Sequence, residues 1–240
     1  MTDERQYLLK QLNERFVKAF VTYRLLEDGD RVLIGLSGGK DSLLLTELLS
    51  RRARISHPYF SVEAIHVRME NISYNTDTEY LRQLCDDLGV PLHIVTTRFE
   101  PSDKKPPCFL CSWHRRKLLF NEAQKLNCNK IALGHHQDDV IHTALLNLTF
   151  QARFDTMPAL LRLRKMPLSI IRPLCMIKES DIQRYAEMQG YKEQVKKCPY
   201  ERQSHRTSMK KLFDELEQVN PEARYSIWNA LVKADKLIEE

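Results

Sequence analysis

Apolar residues recur at three- and four-residue steps over residues 3–27, where Leu8, Leu12, Phe16, Phe20 and Tyr23 share one face. That spacing predicts an amphipathic helix, capped by Thr2 or Asp3. Glu27-Asp28-Gly29-Asp30 reads as a turn. An unbroken apolar run follows, Arg31-Val32-Leu33-Ile34-Gly35-Leu36, and its β-branched residues predict a buried strand. A leucine-rich helix then extends to about Arg52. The alternation repeats with strands over 61–67, 91–96, 130–133 and 169–172, and helices over 77–88, 111–126, 138–150 and 178–188, the last stopped by Gly190. A proline-rich loop fills 101–107. Strands alternating with helices predict an α/β fold, a doubly wound parallel sheet covered on both faces. Beyond Cys198 the chain turns polar, with weak helical periodicity over 202–219 and a last helix after Pro221 carrying Ile227, Trp228, Leu231 and Leu237. The expected organisation is an N-terminal helix over 1–28, an α/β domain over 29–200 and a helical tail over 201–240.

Composition narrows this little. The 240 residues are 42% apolar and 29% charged, as in ordinary soluble globular proteins. No apolar run approaches the ~20 residues of a membrane span. The charged start, Met1-Thr2-Asp3-Glu4-Arg5, is unlike a secretory signal, so the cytoplasm is the expected compartment. A net charge of +5 permits a nucleic-acid partner without requiring one. The six cysteines change the picture more, because a cytosolic chain uses cysteine as buried apolar residues, redox groups or metal ligands before disulfides.

Ser37-Gly38-Gly39-Lys40-Asp41-Ser42 lies between the first strand and its helix. Small residues let the backbone approach a ligand closely, and the first helical amides make an anion site. Ser37 and Ser42 add hydroxyls and Lys40 a positive charge. The segment is not a Walker A loop, since Ile34 stands six residues before Lys40 and Asp41 follows it. His66, near the end of the second strand, is counted with the nucleotide-contacting residues. Gly134-His135-His136-Gln137-Asp138-Asp139 likewise follows a short strand and opens a helix. Ligands of open α/β sheets sit at the carboxyl ends of strands, so both segments are expected in one crevice. Asp138 or Asp139 is the candidate ligand for Mg²⁺, a hard cation that takes one or two carboxylates plus phosphate oxygens. Gly134 joins the nucleotide-binding set, and Lys40, Asp138 and Asp139 are the candidate catalytic residues.

Cys108-Phe109-Leu110-Cys111 forms a CxxC in a loop after Pro106-Pro107, followed by Arg115, Arg116 and Lys117 beside Trp113 and His114. Cys198 stands far down the chain. Cys85, Cys128 and Cys175 have apolar or turn surroundings and read as core residues. A CxxC alone fits a redox pair, half a zinc site or part of an iron–sulfur site. Three cysteines with an open position suit a [4Fe–4S] cluster, while a Cys3His zinc site using His114 or His205 is the rival.

SGGKDS is the PP-loop of the ATP pyrophosphatase superfamily. With CxxC, the Arg-Arg helix, GHHQDD and Ile171-Arg172-Pro173-Leu174 in this order, the chain resembles the tRNA 2-thiocytidine synthetases. The resemblance implies a PP-loop fold of the adenine nucleotide alpha hydrolase type. It implies ATP- and Mg²⁺-dependent transfer of sulfur to C2 of an anticodon-loop cytidine, and a [4Fe–4S] cluster on Cys108, Cys111 and Cys198. Family members often carry a second CxxC where this chain has Cys198 alone. The resemblance further implies tRNA as partner, a sulfur donor such as a cysteine desulfurase, and a homodimer. Arg115, Arg116, Lys117, Arg162, Arg164, Lys165, Lys196, Lys197, Arg202, Arg206, Lys210 and Lys211 are candidate RNA-phosphate contacts, and Trp113 or Tyr200 a candidate base-stacking surface. Two other readings stay open: a PP-loop adenylating enzyme with another substrate or nucleophile, holding zinc, and a non-catalytic RNA- or metal-binding protein.

Overall fold

A computed structural model describes residues 2–70, 73–74, 78–100, 106–194, 196–197 and 205–239. Helix α1 (Thr2–Tyr23) precedes strand β1 (Asp30–Gly35), helix α2 (Lys40–Ala53), strands β2 (Phe60–Met69) and β3 (Ser73–Tyr74), and helix α3 (Thr78–Leu88). Strand β4 (Leu92–Thr97), helix α4 (Pro107–Lys125), strand β5 (Lys130–Ala132) and helix α5 (Gln137–Gln151) follow. Strands β6 (Leu160–Arg162) and β7 (Ser169–Ile171), helix α6 (Glu179–Gln189), strand β8 (Lys196–Lys197), helices α7 (His205–Val219) and α8 (Ala223–Lys233) and strand β9 (Ile238–Glu239) complete the order.

The main sheet runs β4-β2-β1-β5-β7-β6-β9. All neighbours are parallel except β6 and β7. The chain goes outward from β1 through β2 to β4, then returns to place β5 on the other side of β1. Strand order therefore reverses between β1 and β5, which is where open α/β sheets hold ligands.

Alternation along the strands builds two cores. Val32 and Ile34 of β1 and Ala64 of β2 face the larger one, shared with α1, α2, α3 and α6. Leu33, Ile65 and Ile131 face the opposite way and pack with Ala123 and Cys128 beneath α4. Val32, Leu33 and Ile34 are all 0% exposed, as expected of a central strand covered on both sides. The predicted stripe of α1 is the buried one: Leu8, Leu12, Phe16, Phe20 and Tyr23 all lie in the core. Its polar face is tied to α6 through the Arg15–Asp181 and Glu4–Arg184 ion pairs.

Two features differ from the sequence reading. The 106–107 prolines open α4 rather than prolonging a loop, so both cysteines of the CxxC are helical. Proline's fixed φ and missing N–H suit the first helical turn, where that amide has no partner in any case. The C-terminal segment is helical as expected, and it is packed into the domain. Phe213, Leu231 and Leu237 are buried, and the Leu237 carbonyl accepts the Ala159 amide at 2.7 Å before β9 pairs with β6. β9 is a pairing that no local pattern announces, and β6 is only three residues long.

Candidate active site

The Ser37–Ser42 loop leaves β1 at its carboxyl end. Gly38 has φ +89°, a left-handed conformation that glycine adopts readily. A Cβ there would also meet the Gln194 side chain at 2.6 Å. The Ser42 hydroxyl holds the turn together: it accepts the Gly38 amide at 3.0 Å and donates to the Gly39 carbonyl at 2.9 Å, while Ser37 donates to it at 3.1 Å. Ser42 is thus committed to shaping the loop, and Ser37 is exposed at its surface. His66 lies beneath, 2% exposed, with Nδ1 2.8 Å from the Leu36 carbonyl. A carbonyl only accepts, so Nδ1 carries the proton and fixes the last residue before the loop.

Lys40 opens α2. Its ammonium lies 3.4 Å from Asp41 Oδ1 and 3.3 Å from Glu179 Oε1. Burial presses its pKa down, but the two carboxylates outweigh it and hold it above the ordinary lysine range. Asp41 moves upward, chiefly through burial and with help from nearby Asp139, against the pull of His136 and Lys40.

The second acidic segment reaches this loop through Gly134. A Cβ at Gly134 would lie 3.1–3.2 Å from the backbone of Asp41 and Ser42, so the absence of a side chain lets the two loops touch. The two aspartates then diverge. Asp138 has both oxygens engaged: Oδ1 pairs with Arg224 Nη2 at 2.8 Å, and Oδ2 accepts the Glu179 amide at 2.7 Å. Burial alone would raise its pKa, and these bonds more than reverse that, holding the carboxyl below the usual aspartate range. Asp139 uses Oδ2 to accept the His136 amide at 3.1 Å, and among the described residues its other oxygen has no partner. Asp138 is built as a strut, whereas Asp139 retains a coordinating oxygen.

Residues that sequence reasoning did not place complete the site. Glu179 opens α6 and links Lys40 to Lys210, whose ammonium is 2.7 Å from Glu179 Oε2. Arg224 clamps Glu217 with two bonds of 2.8 Å while pairing with Asp138, and its guanidinium lies 4.9 Å from the Phe213 ring. The signals for these partners are weak, since each approaches from an element remote in sequence. Glu193 accepts the Lys40 amide at 3.0 Å, and the neighbouring Gln194 amide donates to the Gly38 carbonyl at 2.8 Å. A carboxylate here occupies a helix N-terminal amide that an incoming phosphate would use. Glu193→Gln is therefore expected to tighten binding of Mg²⁺·ATP by about threefold, the scale of a charge at a helix terminus. Calorimetric titration checks this, and weaker binding would contradict it.

Cys108 and Cys111 occupy the first turn of α4, three residues apart and so on one face. Cys108 is exposed, and Cys111 packs against a small cluster of Met69 and Phe99. Cys108 is open to solvent, and Cys111 has the apolar backing of that cluster. Those features fit the donor set of an iron–sulfur cluster. Cys198 lies outside the described residues; β8, which ends one residue before it, pairs with β3, the strand that follows β2 in the chain. Cys85, Cys128 and Cys175 are buried. Burial pushes their thiols up to about 12, 11 and 12 respectively, which suits inert core residues.

The basic candidates separate. Arg115, Arg116 and Lys117 lie on α4 just after the cysteines, with Lys117 Nζ 5.2 Å from the ring of Trp113, which is 44% exposed. Arg162, Arg164 and Lys165 lie at the β6–β7 turn, at the amino end of β7 and so opposite the phosphate loop. Arg202 and Tyr200 lie outside the described residues.

A family model describing a PP-loop domain matches residues 7–207. A tRNA-cytidine(32) 2-sulfurtransferase of Paraburkholderia xenovorans (strain LB400) is 33% identical over 238 residues, covering 95% of this chain and 69% of that protein. Its namesake from Alkalilimnicola ehrlichii (strain ATCC BAA-1101 / DSM 17681 / MLHE-1) is 33% identical over 231 residues, covering 93% and 73%. Among solved structures, the U34-tRNA thiolase NcsA of Methanococcus maripaludis, with its [4Fe–4S] cluster, superposes with a TM-score of 0.78 at 27% identity, covering 96% of this chain and 79% of that one.

Proposed function

The chain belongs to the PP-loop family, among the tRNA-cytidine(32) 2-sulfurtransferases, and from that premise we propose that it is an ATP-dependent tRNA thiolase forming 2-thiocytidine. The observation that carries this reading is a convergence. The phosphate loop and the GHHQDD segment leave adjacent strands at the switch point and touch through Gly134, and the CxxC opens α4 at the same end of the sheet.

The chemistry follows from the residues. The C2 oxygen of cytidine is a poor leaving group. Its attack on the α-phosphorus of ATP forms a phosphoester and expels pyrophosphate. Sulfide then adds at C2 and gives up its proton, and AMP departs with the original oxygen, with no change of oxidation state. Lys40 and the loop amides sit where negative charge accumulates on the departing pyrophosphate, and such preorganised donors favour the transition state over the ground state. Asp138, locked by Arg224 and the Glu179 amide, fixes the angle between α5 and α6 and so positions Asp139. Mg²⁺ would be held by Asp139 and Asp41 together with phosphate oxygens, and supplies charge neutralisation there. Cys108, Cys111 and Cys198 would hold a [4Fe–4S] cluster, which would supply an iron site for binding sulfide. Trp113 and the Arg115–Lys117 cluster flank the cysteines and offer stacking and phosphate contacts to an anticodon loop.

The family resemblance supports a sulfur donor such as a cysteine desulfurase and a homodimeric assembly, and the tRNA substrate supports a cytoplasmic location. Among the described residues no helix is long and apolar enough to cross a membrane. Nucleoside mass spectrometry of tRNA from a strain lacking the gene tests the reading. 2-Thiocytidine should vanish and return on complementation, whereas unchanged 2-thiocytidine would favour an adenylating enzyme with another substrate.

A further inference from the structure

We propose that Lys210, carried into the site by α7, is a ligand of the ATP triphosphate and acts beside Lys40 as the second cation of the phosphate cradle. The inference rests on the reading of the Ser37–Ser42 loop as an ATP site, and it moves Lys210 from the RNA-binding candidates to the nucleotide.

Three observations lead there. The first is the shared carboxylate. Glu179 presents one oxygen to Lys40 at 3.3 Å and the other to Lys210 at 2.7 Å. Two ammonium groups bridged by one two-oxygen anion have the spacing that adjacent phosphate oxygens need. The second is charge. Lys40 lies against Asp41 as well as Glu179, so one ammonium faces two carboxylates and the cradle is one charge negative before Asp139 is counted. A polyphosphate entering such a site meets net repulsion unless further cations attend it. Mg²⁺ is one, and Lys210, already paired with Glu179, is another held in place before nucleotide arrives.

The third is anchorage. Met209 and Phe213, on either side of Lys210 in α7, are buried, and the Phe213 ring lies 5.6 Å from His142 of α5. Arg224 of α8 covers the same ring while gripping Asp138. The rotation of α7 about its axis is therefore set by packing against the helix that carries Asp138 and Asp139. An exposed lysine–carboxylate pair contributes little to stability. Lys210 is half exposed, so holding the fold does not account for its place, whereas contact with an incoming anion does. When nucleotide binds, the two ammoniums exchange part of their hold on Glu179 for phosphate oxygens without moving far.

The test compares Lys210→Ala, Lys210→Arg and Lys211→Ala with wild type. Lys211 is the control because it loses the same charge from the same helix but projects about 100° away around it. Mg²⁺·ATP affinity is measured by calorimetry without tRNA, tRNA affinity is measured separately by filter binding, and circular dichroism verifies folding. Lys210→Ala is expected to weaken ATP binding about tenfold, the loss of one charge-assisted contact. Lys210→Arg should restore most of the affinity, and Lys211→Ala should leave ATP binding at the wild-type value. The inference is overturned if Lys210→Ala binds ATP like wild type, or if tRNA affinity falls instead, which would return Lys210 to the RNA surface. Wild-type protein that binds no ATP would overturn the site reading itself, a result distinct from either.

Discussion

Lys40→Ala will lower tRNA-dependent pyrophosphate release by about 10²–10³-fold, the scale of removing one preorganised donor from a developing charge. The Lys40 side chain is 14% exposed and its ammonium is oriented by two carboxylates before substrate arrives, so little reorganisation is needed at the transition state. The fold is expected to survive, because Glu179 keeps its bond to Lys210 and the α2 core of Leu43, Leu44, Leu45 and Leu48 is untouched. Initial-rate assays of pyrophosphate with saturating ATP separate loss of rate from loss of binding. A variant within a few-fold of wild type would show that charge on the leaving group is neutralised elsewhere.

Cys108→Ala will abolish thiolation while ATP binding and folding persist. The residue is exposed in the first turn of α4, where alanine is at least as good a helix former, so the thermal midpoints of the cluster-free variant and cluster-free wild type should agree within about 2 °C. The expected signature is loss of iron, sulfide and broad visible absorption together with loss of 2-thiocytidine. Cys85→Ala should behave oppositely: removing a fully buried thiol from the core costs about 1 kcal/mol of stability and leaves the cluster in place. If Cys108→Ala retained thiolation, sulfur would have to reach cytidine by a route that does not use the CxxC. Colourless wild-type protein binding stoichiometric zinc after anaerobic reconstitution would contradict the cluster as well.

The elements that local pattern could specify are those the sequence made legible. The α1 stripe, the β1 apolar run and both loop motifs each depend on residues a few positions apart, and each appears in the structure where expected. The convergence of SGGKDS with GHHQDD was inferable too, because carboxyl ends of parallel strands share one edge of the sheet. The start of α4 is not legible locally, because adjacent prolines break a helix interior yet suit its first position, and the sequence pattern alone does not distinguish the two. The division of labour between Asp138 and Asp139 was illegible for a different reason. It depends on Arg224 and on the Glu179 amide, which arrive from α8 and α6. The same holds for Lys210 and Glu193, whose roles come from tertiary contacts that no periodicity encodes. Within a weakly patterned stretch, His205–Val219 still folds into α7 because Met209 and Phe213 find buried sites against α5.

The central claim is that this chain couples ATP cleavage to sulfur insertion at cytidine. Its most direct test is an anaerobic reaction of the iron-reconstituted protein with Mg²⁺·ATP, a sulfide source and unmodified tRNA, with AMP, pyrophosphate and 2-thiocytidine quantified in the same tube. The account predicts that all three appear in equal amounts and that omitting tRNA suppresses each. Pyrophosphate without 2-thiocytidine, or 2-thiocytidine without AMP, would contradict it.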